Sequence, residues 1–119
     1  MPLSEFEIKR VEKIVSQYCE NKVPPHVRDQ LQTTYKIIKN EVWIYEKRPI
    51  WNNPSKRGEF PVAKAKFTLK TKLWTLYWQD RNLRWHIYDR IEPSKQLEDI
   101  IKEIDNDPTG IFWGQKQKK

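Results

Sequence analysis

A chain of 119 residues is long enough for one domain with its own hydrophobic core. Charged residues make up 33% of it and aromatic residues 13%, with six tryptophans, so the composition excludes a disordered chain. A single cysteine excludes an internal disulfide framework, the lack of a long apolar run excludes a membrane span, and a net charge of +7 favours polyanions as partners. We therefore expect one cytoplasmic domain over residues 1–119, with a disordered basic tail at 115–119.

Helical periodicity predicts one helix near each end of the chain. Ser4 and Glu7 have the spacing of a capping box, and apolar residues then recur at helical spacing as far as Asn21. Cys19 lies on this apolar stripe, so we interpret it as a buried, inert thiol. Ser94 is expected to cap the second helix. The apolar stripe of that helix consists of Leu97, Ile100, Ile101 and Ile104.

Five strands are predicted between the helices. They are expected at residues 31–39, 42–47, 63–70, 73–79 and 83–90. The segment 48–61 is rich in Asn, Pro, Ser and Gly, and we expect it to be a long irregular loop. Short connections favour an antiparallel meander, and two amphipathic helices would cover one face of it. The expected fold class is therefore α+β, with about five antiparallel strands, both helices on one face and the other face partly open.

Alternation within the strands indicates which residues would lie on the open face. In the third strand Ala63, Ala65, Phe67 and Leu69 alternate with lysines, and in the fifth strand Leu83, Trp85 and Ile87 alternate with polar residues. Lys and Arg are almost never buried without a partner, so the basic side of each strand is expected to be exposed. The candidate binding residues are Lys64, Lys66, Lys70, Arg84, His86, Tyr88 and Arg90. Rings that would join them are among Trp43, Tyr45, Trp74, Tyr77 and Trp78.

This pattern leads to the hypothesis of a non-catalytic module that binds single-stranded nucleic acid. Bases stack on aromatic rings while cations contact phosphates, and residues 61–90 hold seven basic and two acidic groups. The alternative is that the rings form the core and the cations are an ordinary solvated surface. The partner would then be a protein, bound through the loop around Trp51 or through the acidic C-terminal helix. A membrane partner is not expected, because neither helix has a basic polar face.

A second alternative is a metal-dependent nuclease. Acidic groups could hold a divalent cation with His86 as a base. The polar residues considered for this role are Arg28, Asp29, Glu46, Arg48, Asp80, Arg81, Arg84, His86 and Asp89. No HxxxH, CxxC or DxD element joins these residues, so nothing guarantees that they converge, and arginine–aspartate pairs are more often structural. The sequence also lacks a phosphate-binding glycine motif, so no catalytic residue, metal or cofactor is predicted.

Five segments together resemble an uncharacterised family of small bacterial proteins. They are VPPHVRD (23–29), YEKRPIW (45–51), PVAKAKF (61–67), LYWQDRNLRWHIYD (76–89) and DNDPTGIFWG (105–114). The family is known only as a domain of unknown function. The resemblance implies one domain in a prokaryotic cytosol and supplies no activity, cofactor or site residue.

Overall fold

The computed structural model describes residues 3–23, 31–50 and 52–113, and the order of its elements is helix, five strands, helix. Helix α1 spans Glu5–Lys22 and helix α2 spans Leu97–Asn106. The strands are β1 (Gln32–Ile38), β2 (Glu41–Ile50), β3 (Asn53–Thr68), β4 (Leu73–Gln79) and β5 (Trp85–Ile87). Neither described helix is long and apolar enough to cross a membrane.

Helix α1 begins as its sequence predicts. The Ser4 hydroxyl accepts a hydrogen bond from the backbone N–H of Glu7, and the Glu7 carboxylate accepts one from the backbone N–H of Ser4. The capping box is therefore confirmed, and it satisfies backbone donors that the first turn leaves free. The apolar stripe is also confirmed, since Val11, Val15 and Cys19 are buried.

Helix α2 begins later than it would if Ser94 were its N-cap. Its first residue is Leu97, its N-cap is Gln96, and no side chain caps it. Ser94 instead exchanges backbone hydrogen bonds with Trp74, which fixes the chain to β4 before the helix begins. The prediction of a Ser94 cap is therefore wrong, because a bridge to the sheet holds that residue two positions ahead of the N-cap.

The sheet is a five-stranded antiparallel meander in the order β1-β2-β3-β4-β5. Both helices supply apolar residues to one hydrophobic core on one face of this sheet. From the sheet the core receives chiefly Val42, Ile44, Ala63, Ala65, Phe67, Trp74 and Leu76, and from α2 it receives Leu97, Ile100, Ile101 and Ile104. The α+β fold class and the antiparallel meander are therefore confirmed.

The segment predicted as an irregular loop is a β-hairpin. Strand β2 continues to Ile50, and β3 begins at Asn53 and runs for 16 residues. The pairs Lys47↔Glu59, Arg48↔Gly58 and Pro49↔Arg57 lie in the part predicted as loop. The prolines and the glycine misled the prediction, because both are tolerated where a strand lies at an edge or bulges. The pairing is irregular at two points, between Ile44 and Tyr45 and between Pro49 and Ile50.

Strand β5 is shorter than predicted. It contains three residues, and the five before it form the turn from β4. Leu83 in this turn has a left-handed backbone conformation with φ 67°, which few non-glycine residues adopt. Asp80 supports the turn, because its carboxylate accepts hydrogen bonds from the backbone N–H groups of Asn82 (2.8 Å) and Arg84 (3.0 Å).

Candidate nucleic-acid interface

The face of the sheet opposite the helices has aromatic residues on three of its strands. Cross-strand pairing places Trp43, Lys64, Tyr77 and Ile87 in one row across β2 to β5. Because side chains alternate along a strand, Tyr45 and Trp85 share this face. We call this surface the open face, and we call its four rings, Trp43, Tyr45, Tyr77 and Trp85, the ring cluster. All four side chains are partly exposed.

Lys64 lies at the centre of the ring cluster. Its Nζ is 4.8 Å from the ring centre of Trp85, 5.1 Å from that of Tyr77 and 5.2 Å from that of Trp43. These distances are within the range in which an ammonium group is attracted to an aromatic face. Lys64 has no ion-pair partner among the described residues. Within the described part of the chain, its ammonium group therefore contacts rings and no carboxylate.

The rings also contact each other. Trp43 and Trp85 pack edge to face with centres 5.2 Å apart, and Trp43 and Tyr45 are stacked at 6.3 Å. The indole N–H of Trp43 donates a 2.9 Å hydrogen bond to the Glu41 carboxylate, which orients the ring. Three rings of the ring cluster are therefore held by ring contacts, and Tyr77 joins them through Lys64.

Two further lysines border the ring cluster. Lys36 on β1 lies opposite Trp43 in the register and places its Nζ 5.0 Å from the ring centre of Tyr45. It also forms an ion pair of 3.5 Å with Glu59. Lys66 on β3 lies opposite Glu41 and Thr75, and it has no ion pair within the described part of the chain. The open face thus combines rings with three cations.

Of the seven residues predicted to form the binding surface, the structure brings only Lys64 and Lys66 together on the open face. Lys70 lies exposed in the turn between β3 and β4. Arg84 and Arg90 are exposed in the segments before and after β5. Three cations of the predicted set are therefore at the rim of the sheet.

His86 and Tyr88 are on the opposite side from the one predicted. His86 pairs with Trp78 in the register and stacks on its ring with centres 4.7 Å apart, and Trp78 packs against the core. Tyr88 is 3% exposed, packs against Phe112 and donates a 2.7 Å hydrogen bond to the Glu103 carboxylate. The prediction that Tyr88 stacks on bases is therefore corrected, because its ring belongs to the core beside α2.

Trp85 is the open-face ring that sequence reasoning missed. In a regular antiparallel hairpin the residue numbers of every pair add up to the same sum. For β4 and β5 this sum is even, as the pairs Gln79↔Trp85 and Tyr77↔Ile87 show. Odd positions of β4 therefore share a face with odd positions of β5. Combined with the correct assignment of Trp78 and Tyr77 to opposite faces, either the predicted turn of three residues or the observed turn of five places Trp85 on the side of Tyr77. The signal was therefore present in the sequence, and the prediction missed it because the face of β5 was assigned from its charged side chains alone.

The polar residues considered for a metal site form separate pairs. Asp80 Oδ2 lies 2.7 Å from His86 Nε2, and Arg48 lies 2.7 Å from the Glu46 carboxylate. The hydrogen bond from His86, with those from the backbone, lowers the pKa of Asp80. No group of three or more His, Cys, Asp or Glu residues that could hold a metal ion occurs within residues 3–23, 31–50 and 52–113. Arg28 and Asp29 lie outside the described residues.

The acidic side chains of α2 are engaged within the molecule. Glu98 forms an ion pair with Arg10, and Asp105 forms one with Lys22 on α1. Asp99 accepts a hydrogen bond from Ser94 and Glu103 accepts one from Tyr88, both of 2.7 Å. These contacts fasten α2 to the rest of the fold, so the acidic character of the helix has a structural reason. Trp51, the other proposed anchor for a protein partner, lies outside the described residues.

Cys19 has the environment expected from its place on the helix stripe. It is 8% exposed and belongs to the core cluster. Burial raises the pKa of its thiol to about 12, so the thiolate that acts as a nucleophile is scarce at neutral pH. The interpretation as an inert thiol is consistent with both observations.

Fold and surface together define a small α+β protein whose antiparallel sheet is covered by helices on one face and presents an aromatic, basic surface on the other. The family model described as Domain of unknown function (DUF3024) matches residues 3–114, and the chain belongs to that family. Comparison with curated proteins finds no match, and comparison with solved structures finds none either.

Proposed function

We propose that this protein binds single-stranded nucleic acid on the open face. The ring cluster supplies the stacking surfaces, and Lys36, Lys64 and Lys66 supply cations for the phosphates. The observation that carries the proposal is the position of Lys64, whose ammonium group is surrounded by three rings and has no carboxylate partner among the described residues. Stacking platforms combined with backbone-tracking cations are the usual solution for single strands.

The free energies of the two kinds of contact favour the replacement of the Lys64 ammonium by a base when nucleic acid binds. A cation over a ring at an exposed site contributes about 0.5–1 kcal/mol, whereas a base stacked on a ring contributes about 1–3 kcal/mol. A base can therefore replace the Lys64 ammonium on a ring face. The displaced ammonium then lies beside the strand, where it can contact a phosphate.

The proposed site differs from the one predicted from sequence in its rings and in three of its cations. Trp85 and Tyr77 take the place of Tyr88 and His86. Lys36 takes the place of Lys70, Arg84 and Arg90. Recognition would depend on stacking and charge, since no described side chain of the ring cluster presents the pair of hydrogen-bonding groups needed to read a base edge. We therefore expect weak sequence preference.

A direct test is fluorescence anisotropy of labelled oligonucleotides, both DNA and RNA, titrated with the protein at two salt concentrations. Trp85→Leu should weaken binding by about 1–3 kcal/mol, because one stacking face is lost while the position stays apolar. The matched control is Phe6→Leu, since Phe6 is a 79% exposed ring on α1, away from the open face. Saturable binding that Trp85→Leu weakens and Phe6→Leu leaves unchanged supports the proposal.

The salt dependence tests the cations separately. Each phosphate contact on a single strand contributes about 0.7 to the slope of log affinity against log salt. Lys64→Gln should therefore lower the slope by about 0.7, while Lys9→Gln on the exposed side of α1 should leave it unchanged. Absence of saturable binding at low salt, or binding that ignores both Trp85 and Lys64, would overturn the proposal.

A further inference from the structure

The hairpin formed by β2 and β3 extends beyond the rest of the sheet. Strand β1 pairs with β2 only as far as Lys47, and β4 pairs with β3 only from Ala63 onward. Between these limits the chain continues as a ribbon in which Arg48–Ile50 pairs with Asn53–Gly58 and with nothing else among the described strands. We call the described residues 47–50 and 52–59 the arm. Beyond Lys47 its ladder holds three residue pairs, which span about 10 Å.

Packing at its base holds the arm in place. The Arg48 guanidinium lies 4.0 Å from the ring centre of Phe60 and 2.7 Å from the Glu46 carboxylate. The same Phe60 ring covers Gly58, where a Cβ atom would come within 2.9 Å of it. Glu59 accepts a hydrogen bond from Thr34 and pairs with Lys36, and both of these residues lie on β1. The base of the arm is therefore held by contacts with β1 and with the Phe60 ring.

The outer part of the arm is basic. The arm contains Lys47, Arg48, Lys56 and Arg57 against one acidic residue, Glu59. Within the described residues, Lys47, Lys56 and Arg57 have no ion-pair partner, and Lys56 and Arg57 are exposed. Lys47 and Arg57 lie on the same side as Tyr45, because the register pairs Lys47 with Glu59 and Pro49 with Arg57. That side of the arm thus continues the open face.

We propose that the arm enters the major groove of a B-form DNA duplex, so that the protein recognises a junction between duplex and single-stranded DNA. The major groove is about 12 Å wide and admits a two-stranded β-ribbon, whose strands lie about 4.8 Å apart. Lys47, Lys56 and Arg57 contact the phosphates that flank the groove. The single strand that leaves the duplex passes onto the ring cluster, and this half of the inference rests on the proposed function.

The form of the duplex is part of the proposal. Double-stranded RNA has a major groove too deep and narrow for side chains to enter. A B-form DNA duplex is therefore the expected ligand of the arm, and an RNA duplex of the same sequence should bind more weakly.

The test compares four labelled ligands: a DNA single strand, a DNA duplex, the same duplex with a single-stranded overhang, and an RNA duplex. The arm variant combines Lys56→Ala with Arg57→Ala. Its control combines Lys9→Ala with Lys13→Ala, which removes two exposed lysines from α1. We expect the arm variant to bind the DNA duplex about tenfold more weakly and to lower its salt slope by about 2, with the single strand unaffected. Trp85→Leu should show the reverse selectivity.

The outcomes separate the two proposals. If the arm variant binds the DNA duplex as tightly as the control does, the arm inference is overturned, while single-strand binding that depends on Trp85 would leave the proposed function standing. If no single strand binds but the duplex binds through Lys56 and Arg57, the proposed function fails and the duplex part of the inference holds. Equal affinity for RNA and DNA duplexes would contradict insertion into the major groove. Circular dichroism of each variant confirms that it is folded.

Discussion

The two faces of the sheet are built from the same strands and place aromatic residues in opposite circumstances. On the covered face, Trp74 and Phe67 pack at 5.1 Å within the core, and small residues such as Ala63 and Ala65 leave room for the helices. On the open face, the position between those alanines holds Lys64, and the position after the buried Leu76 holds the partly exposed ring of Tyr77. Burial in the core explains the aromatic residues of the covered face. The rings of the open face instead add apolar surface that no described helix covers. The comparison assigns stability to the covered face, and the open face is the one for which we propose binding.

Truncation of a core residue should give the largest effect on stability. Leu76 is 2% exposed, and Leu76→Ala should lower the free energy of unfolding by about 2–5 kcal/mol, because it removes buried methyl groups and leaves a cavity. Tyr77→Ala, on the next residue and the open face, should cost clearly less. Urea denaturation of both variants measures the difference. Equal losses would show that the open face contributes to stability as the core does.

The segment after α2 should give the next largest effect. Asp107 is 4% exposed, and its carboxylate accepts hydrogen bonds from the backbone N–H groups of Phe112 (3.0 Å) and Trp113 (2.8 Å). Asp107→Ala would leave these buried donors without a partner, at a cost of about 1–3 kcal/mol. Asp107→Asn keeps an acceptor oxygen and tolerates the left-handed backbone, so it should lose less. Thermal unfolding that fails to rank wild type, Asn and Ala in this order would refute the role of the carboxylate.

Alkaline pH should weaken the covered face through Tyr88. Burial, together with the Glu103 carboxylate, raises the pKa of Tyr88 from its ordinary 10.0 to about 12. A raised pKa in the folded state means that the neutral ring stabilises the fold fully below pH 10. That contribution is lost as the pH rises from about 10 to about 12, because the unfolded chain ionises first. Urea midpoints measured across this range should fall more steeply for the wild type than for Tyr88→Phe, and parallel curves would contradict the assignment.

The smallest effect on stability is expected at the centre of the open face. Lys64→Met keeps the apolar stem and removes the ammonium group, so it should cost no more than the about 0.5–1 kcal/mol of an exposed cation over rings. Lys9→Met on α1 is the control for the loss of a surface charge. Urea denaturation measures the free energy of unfolding of both variants. If Lys64→Met alone lowered it by several kcal/mol, the ring cluster would contribute to stability as a second core, which would contradict the distinction between the two faces.

Most of the fold could be predicted because its signals are local. The capping box at Ser4, the stripe of α1 and the alternation from Ala63 to Phe67 are each contained within one element. The face of β5 and the pairing of the arm are not local. The first depends on the pairing of β5 with β4, and the second on contacts between β2 and β3 that outweigh three prolines.

The candidate site was half predicted for the same reason. Lys64 and Lys66 follow from alternation within β3, while Trp85 needed the register between β4 and β5. Tyr88 was misplaced because its neighbours Arg84 and Arg90 suggested an exposed strand face, although the strand ends at Ile87 and the chain then turns into the core.

The contact between Gly58 and Phe60 also constrains how this sequence can diverge. Any side chain at position 58 would bring its Cβ to 2.9 Å from the tip of the Phe60 ring, which must then shift or shrink. The two positions are therefore linked, since a larger residue at 58 requires the Phe60 ring to move or a smaller residue to replace it. Because the same ring lies under the Arg48 guanidinium, a family member that exchanged this pair would also lose that contact and keep only the ion pair of Arg48 with Glu46. Correlated changes at positions 48, 58 and 60 would mark family members in which the base of the arm packs differently.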